Sequence, residues 1–355
     1  MIGGDSFVGR NFSLGAGFLF FVLMAFVPTA LELGGAARGG IVQLDMLNKI
    51  GIYAVLALSL NLILGQAGMF HMGHTAFFAV GAYTTAVLNT VYGWSIFATM
   101  PVAGLFAAVF AFLLAVPIIR LRGDYLLLVT IGIVEIVGIA LKNNIFGFTG
   151  GANGIFGISR PELFGLRLST PQLQFYLIWG FAAITALLFY LLEHSRFGRA
   201  LNYIRHDDLA ASGCGINVAK YKLMAFTLGA FWAGMAGTIF AANIRTIEPT
   251  SFNFYESVIL FAIVVLGGRG SIAGVLLGAF LLIGLQDVFR GFESARMLVF
   301  GGAMMLMMIF RPQGLLPPRR RRYDARSMVG KFPSGIPESG VTSDAGFDAR
   351  KEGRA

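Results

Sequence analysis

His71 and His74 come nearest to a metal-binding pair in this chain of 355 residues. Side chains three positions apart can share one face of a helix, so the two imidazoles could bind one ion. The chain has only four histidines and one cysteine, and no third ligand stands at a motif spacing. The sequence therefore predicts no metal site. The nearby glycines favour a polar break within a membrane, tolerated where protein covers the backbone or where the backbone lines a cavity.

Glu135 is a carboxylate within the apolar run 124–142. A charge at the bilayer centre costs about 2.5–3.5 kcal/mol on insertion scales, so Glu135 is expected to face the helix bundle or a cavity. It could line a translocation pathway and sense the ammonium group of a zwitterion, or it could form an interhelical hydrogen bond to a residue such as Asn61. Asn61 and Gln66, near the end of another apolar run, have the same two interpretations.

A phosphate-binding loop of the pattern Gly-x-x-x-x-Gly-Lys-Ser/Thr does not occur in the sequence. The chain therefore lacks this means of holding ATP phosphates, and any transport must draw energy from a partner or from an ion gradient, or proceed without an energy source. A membrane-embedded enzyme would need a nucleophile with its base, or a metal set, and the two histidines are the nearest approach. The sequence favours a protein that is not an enzyme and binds no cofactor itself.

The composition indicates the elements that position these residues. Hydrophobic residues make up 56% of the chain and charged residues 13%, and the mean hydropathy is +0.75, which is typical of a polytopic helical membrane protein. Since about 20 apolar residues cross a bilayer, the sequence predicts an all-α fold with about ten transmembrane helices. The predicted spans are 12–33, 44–64, 74–90, 95–118, 124–142, 173–192, 222–243, 254–266, 271–288 and 295–310.

The basic residues indicate the orientation. With ten spans and both termini on one face, that face holds nineteen of the 27 Lys and Arg residues, so the positive-inside rule places it in the cytoplasm. The first span could be a signal peptide, but its length favours an uncleaved helix. We expect a transmembrane domain over 1–318, with a cytoplasmic loop at 193–222, and a basic, disordered cytoplasmic tail over 319–355. The net charge of +9 then reflects lipid and topology rather than nucleic acid.

The polar segment Arg196–Lys222, between spans six and seven, is long enough for one or two short helices outside the membrane. Asp207 or Asp208 can cap such a helix at its start, and Gly213 or Gly215 can end it. The segment therefore predicts a short cytoplasmic helix.

Small residues on this helix favour contact with another protein. Ala210 and Ala211 would leave a shallow face that the groove of a partner can approach, and neighbouring charges would set the register. An amphipathic loop resting on lipid headgroups is the alternative. The predicted docking surface comprises Arg205, Asp207, Asp208, Leu209, Ala210, Ala211 and Gly215.

The loop 143–172 is the longest on the predicted outer face. It contains Thr149, Gly150, Gly151 and Asn153, whose backbone groups suit a gate or a contact with an extracytoplasmic protein. A structural cluster of turns would explain the glycines equally well.

Further motifs follow one another in order over roughly residues 45–317. They are Gly65-Gln66-Ala67-Gly68, His74-Thr75-Ala76-Phe77-Phe78 with Gly81-Ala82-Tyr83, Arg120-Leu121-Arg122-Gly123-Asp124-Tyr125-Leu126, Thr149-Gly150-Gly151-Ala152-Asn153-Gly154-Ile155, Leu266-Gly267-Gly268-Arg269-Gly270-Ser271 and Arg311-Pro312-Gln313-Gly314-Leu315. This ordered set resembles the LivM-type permeases of branched-chain amino acid ABC importers. Ala210-Ala211 followed by Gly215 also resembles the EAA loop of importer permeases, although Leu209 replaces its acidic residue and Asp208 stands one place earlier.

The resemblance implies one permease half of an importer in the bacterial cytoplasmic (inner) membrane. Its partners would be a second related permease, two cytoplasmic ATPases that use ATP and Mg, and an extracytoplasmic binding protein that delivers branched-chain or other small amino acids. The 193–222 loop would hold the coupling helix on which the ATPases act. Permeases for urea or short amides look much the same, and a gradient-driven secondary transporter is the rival class; such a transporter would rely on Glu135, the clear midplane carboxylate.

Overall fold

The chain is almost entirely helical in the part that is described. A computed structural model describes residues 39–288 apart from 120, 122, 145–146 and 164–165, together with single residues within 21–28 and 301–316. The helices are α1 Gly39–Asn61, α2 His74–Thr90, α3 Ile96–Ile118, α4 Asp124–Lys142, α5 Pro171–His194, α6 Arg196–His206, α7 Asp208–Gly213, α8 Val218–Ile244, α9 Phe254–Gly267 and α10 Ile272–Val288.

Shorter elements occur at helix ends and in loops. A π-helical turn, Leu62–Gln66, extends α1, and 3-10 turns lie at Gly151–Asn153 and Pro249–Ser251. Strand β1, Ile155–Phe156, pairs antiparallel with β4, Thr246–Ile247, and β2, Glu162–Leu163, pairs antiparallel with β3, Leu166–Arg167.

Side-chain caps explain where several helices begin. The side chains of Ser95, Thr170, Asn217 and Asn253 accept hydrogen bonds from backbone N–H groups in the first turns of α3, α5, α8 and α9. Each bond satisfies an N–H group that has no partner within the helix. These caps move the starts of α5 and α8 two to four residues ahead of the apolar runs that predict them.

Helix α1 is buried along most of its length, and α5, α8, α9 and α10 pack around it. Helices α2 and α3 pack against α8, which therefore borders both groups. Small residues permit the closest approach, since a Cβ atom at Gly81 of α2 would lie 2.3 Å from the Cα atom of Gly234 in α8. One turn away, the hydroxyls of Thr85 and Thr238 are 2.8 Å apart and join the same two helices.

The backbone is not helical over residues 67–73, between the π-helical turn and α2. Ala67, Met69, His71 and Gly73 in this segment are nevertheless buried. Non-helical backbone at membrane depth is stable where surrounding protein shields it from lipid. The non-helical break expected near the two histidines is therefore present and explains why α2 has only 17 residues, while its depth in a membrane stays a prediction.

The all-α, polytopic fold class is confirmed, whereas the count of ten spans stays a prediction. Helices occupy the eight predicted spans between residues 44 and 288. Six helical segments of the described part are long and apolar enough to cross a membrane: Leu44–Gln66, Ile96–Ile118, Asp124–Lys142, Pro171–His194, Val218–Ile244 and Pro249–Gly267. The predicted spans 12–33 and 295–310 and the tail 319–355 lie outside the continuously described residues.

Candidate functional site

Two short helices, α6 and α7, form the polar segment between α5 and α8, as the sequence predicts. Ser195 caps α6, and Asp207 caps α7 by accepting hydrogen bonds from Leu209 N at 2.8 Å and Ala210 N at 3.1 Å. Gly215, with φ of +82°, follows α7 in the left-handed conformation that favours glycine. Of the residues proposed from the sequence, Asp207 is therefore the cap and Gly215 the left-handed stop.

The surface of α6 and α7 is divided between large exposed side chains and small buried ones. Tyr203 and Leu209 are 62% and 71% exposed, and Ala210 is also exposed. Ala211 is only 4% exposed. The expectation that both alanines form one open face is therefore wrong for Ala211, because consecutive helical residues point about 100° apart. Leu209 and Ala210, with Tyr203, provide the accessible surface.

Asp208 and Arg205 are engaged within the chain. Asp208 Oδ2 lies 2.5 Å from Lys222 Nζ, and this ion pair ties α7 to the start of α8. The Arg205 guanidinium donates a hydrogen bond to the carbonyl of Arg269 at 3.3 Å, and burial with the nearby Arg269 charge lowers the pKa of Arg205. Both charged side chains therefore have a partner within the chain, and their role in setting the register of a docked subunit stays a prediction.

Arg205 reaches a group of turns that we call the glycine cluster, formed by residues 65–68, 267–270 and 314–316. A Cβ atom at Gly270 would lie 2.6 Å from Arg205 Nη1 and 3.2 Å from the carbonyl oxygen of Gly65. Leu315 N and Leu316 N donate to the carbonyls of Leu266 and Gly267 at 2.9 and 3.1 Å. Three motifs that are distant in sequence therefore meet beneath α6.

Asn61 holds the glycine cluster together, whereas Gln66 lies beside it. The Asn61 Oδ1 atom accepts a hydrogen bond from Gly270 N at 2.8 Å in a buried position. The suggested hydrogen bond between Asn61 and Glu135 is therefore not formed. Gln66 is buried, and its Oε1 atom has no hydrogen-bond partner among the described residues.

Glu135 is exposed on the surface of this chain, on the face of α4 that also carries Leu128, Ile136 and Ile139. Gly132 lies in the same stripe, and a Cβ atom there would meet none of the described residues within 4 Å. Of the two expected environments, Glu135 does not face the helix bundle of this chain, and a cavity stays a prediction. The apolar composition of α4 does not reveal which side is buried, because the helix is apolar nearly all round.

His71 and His74 are fully buried, and their rings are 5.9 Å apart. His74 Nε2 shares a hydrogen bond with Ser59 Oγ at 2.7 Å, and His71 packs on the rings of Phe77 and Phe226. Among the described residues, no group of three His, Cys, Asp or Glu side chains could hold a metal ion.

The predicted outer loop is tied to the helices beneath it. Thr149 donates two hydrogen bonds: its backbone N–H donates to Asn144 Oδ1 at 2.9 Å, and its Oγ1 donates to the Leu141 carbonyl at 2.9 Å. Gly150 and Gly151 have positive φ, and a Cβ atom at Gly150 would be 2.0 Å from the Gly154 carbonyl oxygen. Gly150 and Gly151 therefore permit the tight turns of this loop. Asn153 is exposed at the loop surface.

Several residues that hold these features together were not predicted from the sequence. Thr130 of α4 accepts a hydrogen bond from Met72 N at 3.2 Å, and Asn89 of α2 bonds both Ser159 N and Ser159 Oγ. Tyr203 provides part of the open surface of α6. The only sequence signal for Thr130 and Asn89 is a polar side chain within an apolar helix, which also fits a bond inside the residue's own helix.

Comparison with known proteins identifies the group to which this chain is related. It is 42% identical over 310 residues to the high-affinity branched-chain amino acid transport system permease protein LivM of Escherichia coli strain K12, covering 81% of this chain and 73% of that protein. It is 25% identical to a probable LivM of Methanocaldococcus jannaschii, covering 78% and 95%. It is also 24% identical to the E. coli permease protein LivH, covering 74% and 91%.

No solved structure matches the chain. The family model for the permease component of branched-chain amino acid transport systems matches residues 42–309, which include most of α1, all of α2 to α10 and most of the glycine cluster. The resemblance inferred from the ordered motifs is thereby confirmed. This chain belongs to the family of branched-chain amino acid transport system permease components.

Proposed function

We propose that the chain is the membrane-spanning permease subunit of an ATP-driven importer for branched-chain or related small amino acids. The LivM relatives are named for that transport, and the family match extends over most of the chain. The structural observation that carries the proposal is the pair of capped helices α6 and α7, which project Tyr203 and Leu209 away from the helix bundle. A permease without its own ATP site needs such a surface to bind the ATPase that drives transport.

The complete importer would contain two cytoplasmic ATPases, a second related permease and an extracytoplasmic binding protein. The similarity of this chain to both LivM and LivH supports a pairing of two related permeases. ATP and Mg are used by the ATPases, and this chain binds no cofactor and catalyses no reaction. The complex lies in the bacterial cytoplasmic membrane.

The docking surface consists of Tyr203, Leu209 and Ala210, with Asp207 and Gly215 shaping α7. Large apolar side chains at the centre of an interface usually contribute most of its binding energy, and Leu209 is the most exposed of this group. Ala211, Asp208 and Arg205 support this surface from within the chain. α7 therefore acts as the coupling helix between the sixth and seventh of ten spans.

The translocation pathway runs along the exposed face of α4, between this chain and the second permease. A carboxylate in contact with lipid is costly, and intramembrane ionisable groups generally face a cavity or another protein. Glu135 therefore requires a covering subunit, and the open space at Gly132 suits close packing of another helix. In this position Glu135 can attract the ammonium group of an amino acid, whereas Asn61 and Gln66 are buried at the glycine cluster and do not lie on this face.

The outer loop provides a firm surface for the binding protein. Asn153 and the neighbouring Phe156 are exposed, while Thr149, Gly150 and Gly151 fix the turns that carry them. Both termini and the loop 193–222 lie in the cytoplasm, with residues 1–318 forming the membrane domain and 319–355 a basic tail.

The proposal is tested with Leu209→Arg in the chain expressed with its neighbouring importer subunits. A large charge at the exposed position should leave insertion and folding intact and remove the ATPases, because loss of a central contact costs about 2 kcal/mol, or about thirtyfold in affinity. Mild-detergent purification followed by mass spectrometry measures what remains bound. Val91→Arg is the matched control, since Val91 is 62% exposed at the opposite end of the helices. Full retention of the ATPases by Leu209→Arg would contradict the docking assignment.

Uptake by proteoliposomes then tests the substrate and the energy source. Radiolabelled leucine should accumulate only with ATP and the binding protein, and a protonophore should have no effect. Uptake driven by an ion gradient without ATP would favour the secondary transporter. Transport of urea or acetamide in preference to leucine would favour the amide permease.

A further inference from the structure

The non-helical segment Ala67–Gly73 contacts both the docking helices and the helix that carries Glu135. It follows the π-helical turn and precedes α2, and every second residue is buried from Ala67 to Gly73. A break of this kind is costly inside a membrane unless neighbouring elements hold it, and π-helical turns are frequent at functional sites. The contacts at its two ends suggest a use.

The first contact joins the segment to α6. A Cβ atom at Gly68 would lie 3.2 Å from Arg205 Cγ and 3.3 Å from Arg205 Cα, so the backbone of the segment lies directly against this side chain. The guanidinium of Arg205 is fixed in turn by its hydrogen bond to the Arg269 carbonyl. A displacement of α6 therefore reaches Gly68 without an intervening loop.

The second contact joins the segment to α4. Met72 N donates a hydrogen bond to Thr130 Oγ1 at 3.2 Å, and a Cβ atom at Gly73 would lie 2.8 Å from the Thr130 carbonyl oxygen. Thr130 is fully buried. Glu135 follows it by five residues, which is about 7.5 Å along the helix axis.

Between these contacts the segment is firmly packed. The His71 ring is fully buried, stacks on Phe77 with centroids 5.6 Å apart, and meets the Phe226 ring edge-on at 4.8 Å. Close-packed interiors have low compressibility and transmit strain. Because its interior is close-packed, the segment can shift as one unit. The ends of this unit are Gly68 and Gly73, neither of which has a side chain.

We propose that residues 67–73 act as a positioning link that passes movement of the docking helices α6 and α7 to the pathway face of α4. Arg205 and Thr130 are the contact residues at the two ends of this link. The inference rests on the proposed function, since it requires that ATPases move α6 and that α4 borders the pathway. It assigns a role to a segment that contacts no substrate.

The test compares Gly73→Ala and Thr130→Val in the purified complete importer, reconstituted with its binding protein and leucine. Gly73→Ala forces the segment away from α4, and Thr130→Val removes the hydrogen-bond acceptor at nearly constant volume. We expect the ATP hydrolysed per leucine transported to rise about tenfold for Gly73→Ala and about fivefold for Thr130→Val, with the ATPases still bound. Thr130→Ser keeps the accepting hydroxyl and should give the ATP-to-leucine ratio of the unmodified importer.

Matched controls separate this link from general damage. Within the described part of the chain, Gly180→Ala adds a methyl group with no atom within 4 Å, and Thr84→Val removes a hydroxyl whose one hydrogen bond is to the Val80 carbonyl of its own helix. Both should leave the ratio unchanged. An unchanged ratio in Thr130→Val and Gly73→Ala, in an importer that transports leucine with ATP, would overturn the link alone. Failure of the unmodified complex to hold ATPases or to use ATP would instead overturn the proposed function.

A second measurement does not depend on turnover. Cys214 is the only cysteine of the chain, so Cys214→Ser provides a background in which Ile139→Cys can be labelled singly on the exposed face of α4. When ATP is trapped on the complex, the rate at which a thiol reagent labels the cysteine introduced by Ile139→Cys should change. Thr130→Val should abolish most of that change. A full ATP-dependent change in Thr130→Val would contradict the link.

Discussion

Glu135 lies on the outside of the chain that carries it, in a helix that is long and apolar enough to cross a membrane, and lipid is a poor solvent for a charge. Its neighbours Ile136 and Ile139 are apolar and also exposed, so the carboxylate lies within an otherwise apolar surface of this chain. A single residue thereby distinguishes one side of α4 from an ordinary lipid-facing surface. The second permease subunit is the covering protein we propose.

Glu135→Gln tests this assignment at the scale of one residue. We expect leucine uptake at low concentration to fall about tenfold, because a hydrogen bond from an ammonium group to a charged acceptor contributes about 1.5–3 kcal/mol. The melting temperature of the purified importer should not fall, since the neutral amide is less costly within the membrane.

Ile136→Val is the matched control, because it changes the adjacent exposed side chain without altering charge. Unchanged uptake by Glu135→Gln would remove this carboxylate from the pathway. A large loss of thermal stability would instead indicate a structural role at the interface between the two permeases.

Helix α7 has six residues, too few for an isolated helix to be stable. It depends on the Asp207 cap at one end, on the Asp208–Lys222 ion pair and on the buried Ala211. These contacts keep Leu209 at the surface in one orientation.

Asp207→Ala tests the cap at the scale of this helix. Loss of an N-cap side chain costs about 1 kcal/mol, so we expect the affinity for the ATPase subunits to fall about fivefold. Binding of the purified ATPase to the permease pair in nanodiscs measures the effect. Asp207→Asn keeps the accepting oxygen and should restore binding, whereas weak binding by Asp207→Asn would indicate that the charge itself contacts the partner.

Much of this helix arrangement could be predicted from the sequence. Long apolar runs predict the spanning helices, and Asp207 with Gly215 predicts the short helix, because caps and left-handed stops depend on adjacent residues. The break at residues 67–73 was also predictable from its histidines and glycines.

The orientation of individual side chains could not be predicted in the same way. Arg205 points inward because two glycine turns, distant in sequence, leave room for it. Glu135 points outward because the buried side of α4 is determined by its neighbours rather than by its own apolar pattern. Ala211 is buried and Ala210 is exposed because of the way α7 packs against α8.

At the scale of the whole molecule, the proposed orientation places α6, α7 and the glycine cluster on the cytoplasmic side. Cys214 lies directly after α7, is exposed, and is the only cysteine of the chain. We therefore expect a membrane-impermeant maleimide to label inverted membrane vesicles and to leave intact spheroplasts unlabelled.

Cys214→Ser provides the blank for this measurement, and labelling after detergent solubilisation provides the maximum. Equal labelling of intact spheroplasts would place the docking helices outside the cell. Such a result would refute the positive-inside assignment and the contact with ATPases together.

The backbone hydrogen bonds from Leu315 and Leu316 to Leu266 and Gly267 have a consequence for biosynthesis. The glycine cluster that receives Arg205 is complete only after the ribosome has synthesised more than a hundred further residues. At bacterial elongation rates this delay is roughly 5–20 s. We therefore expect the docking helices of a nascent permease to reach their final packing only after residues 314–316 have been synthesised, so that ATPase subunits bind after this point.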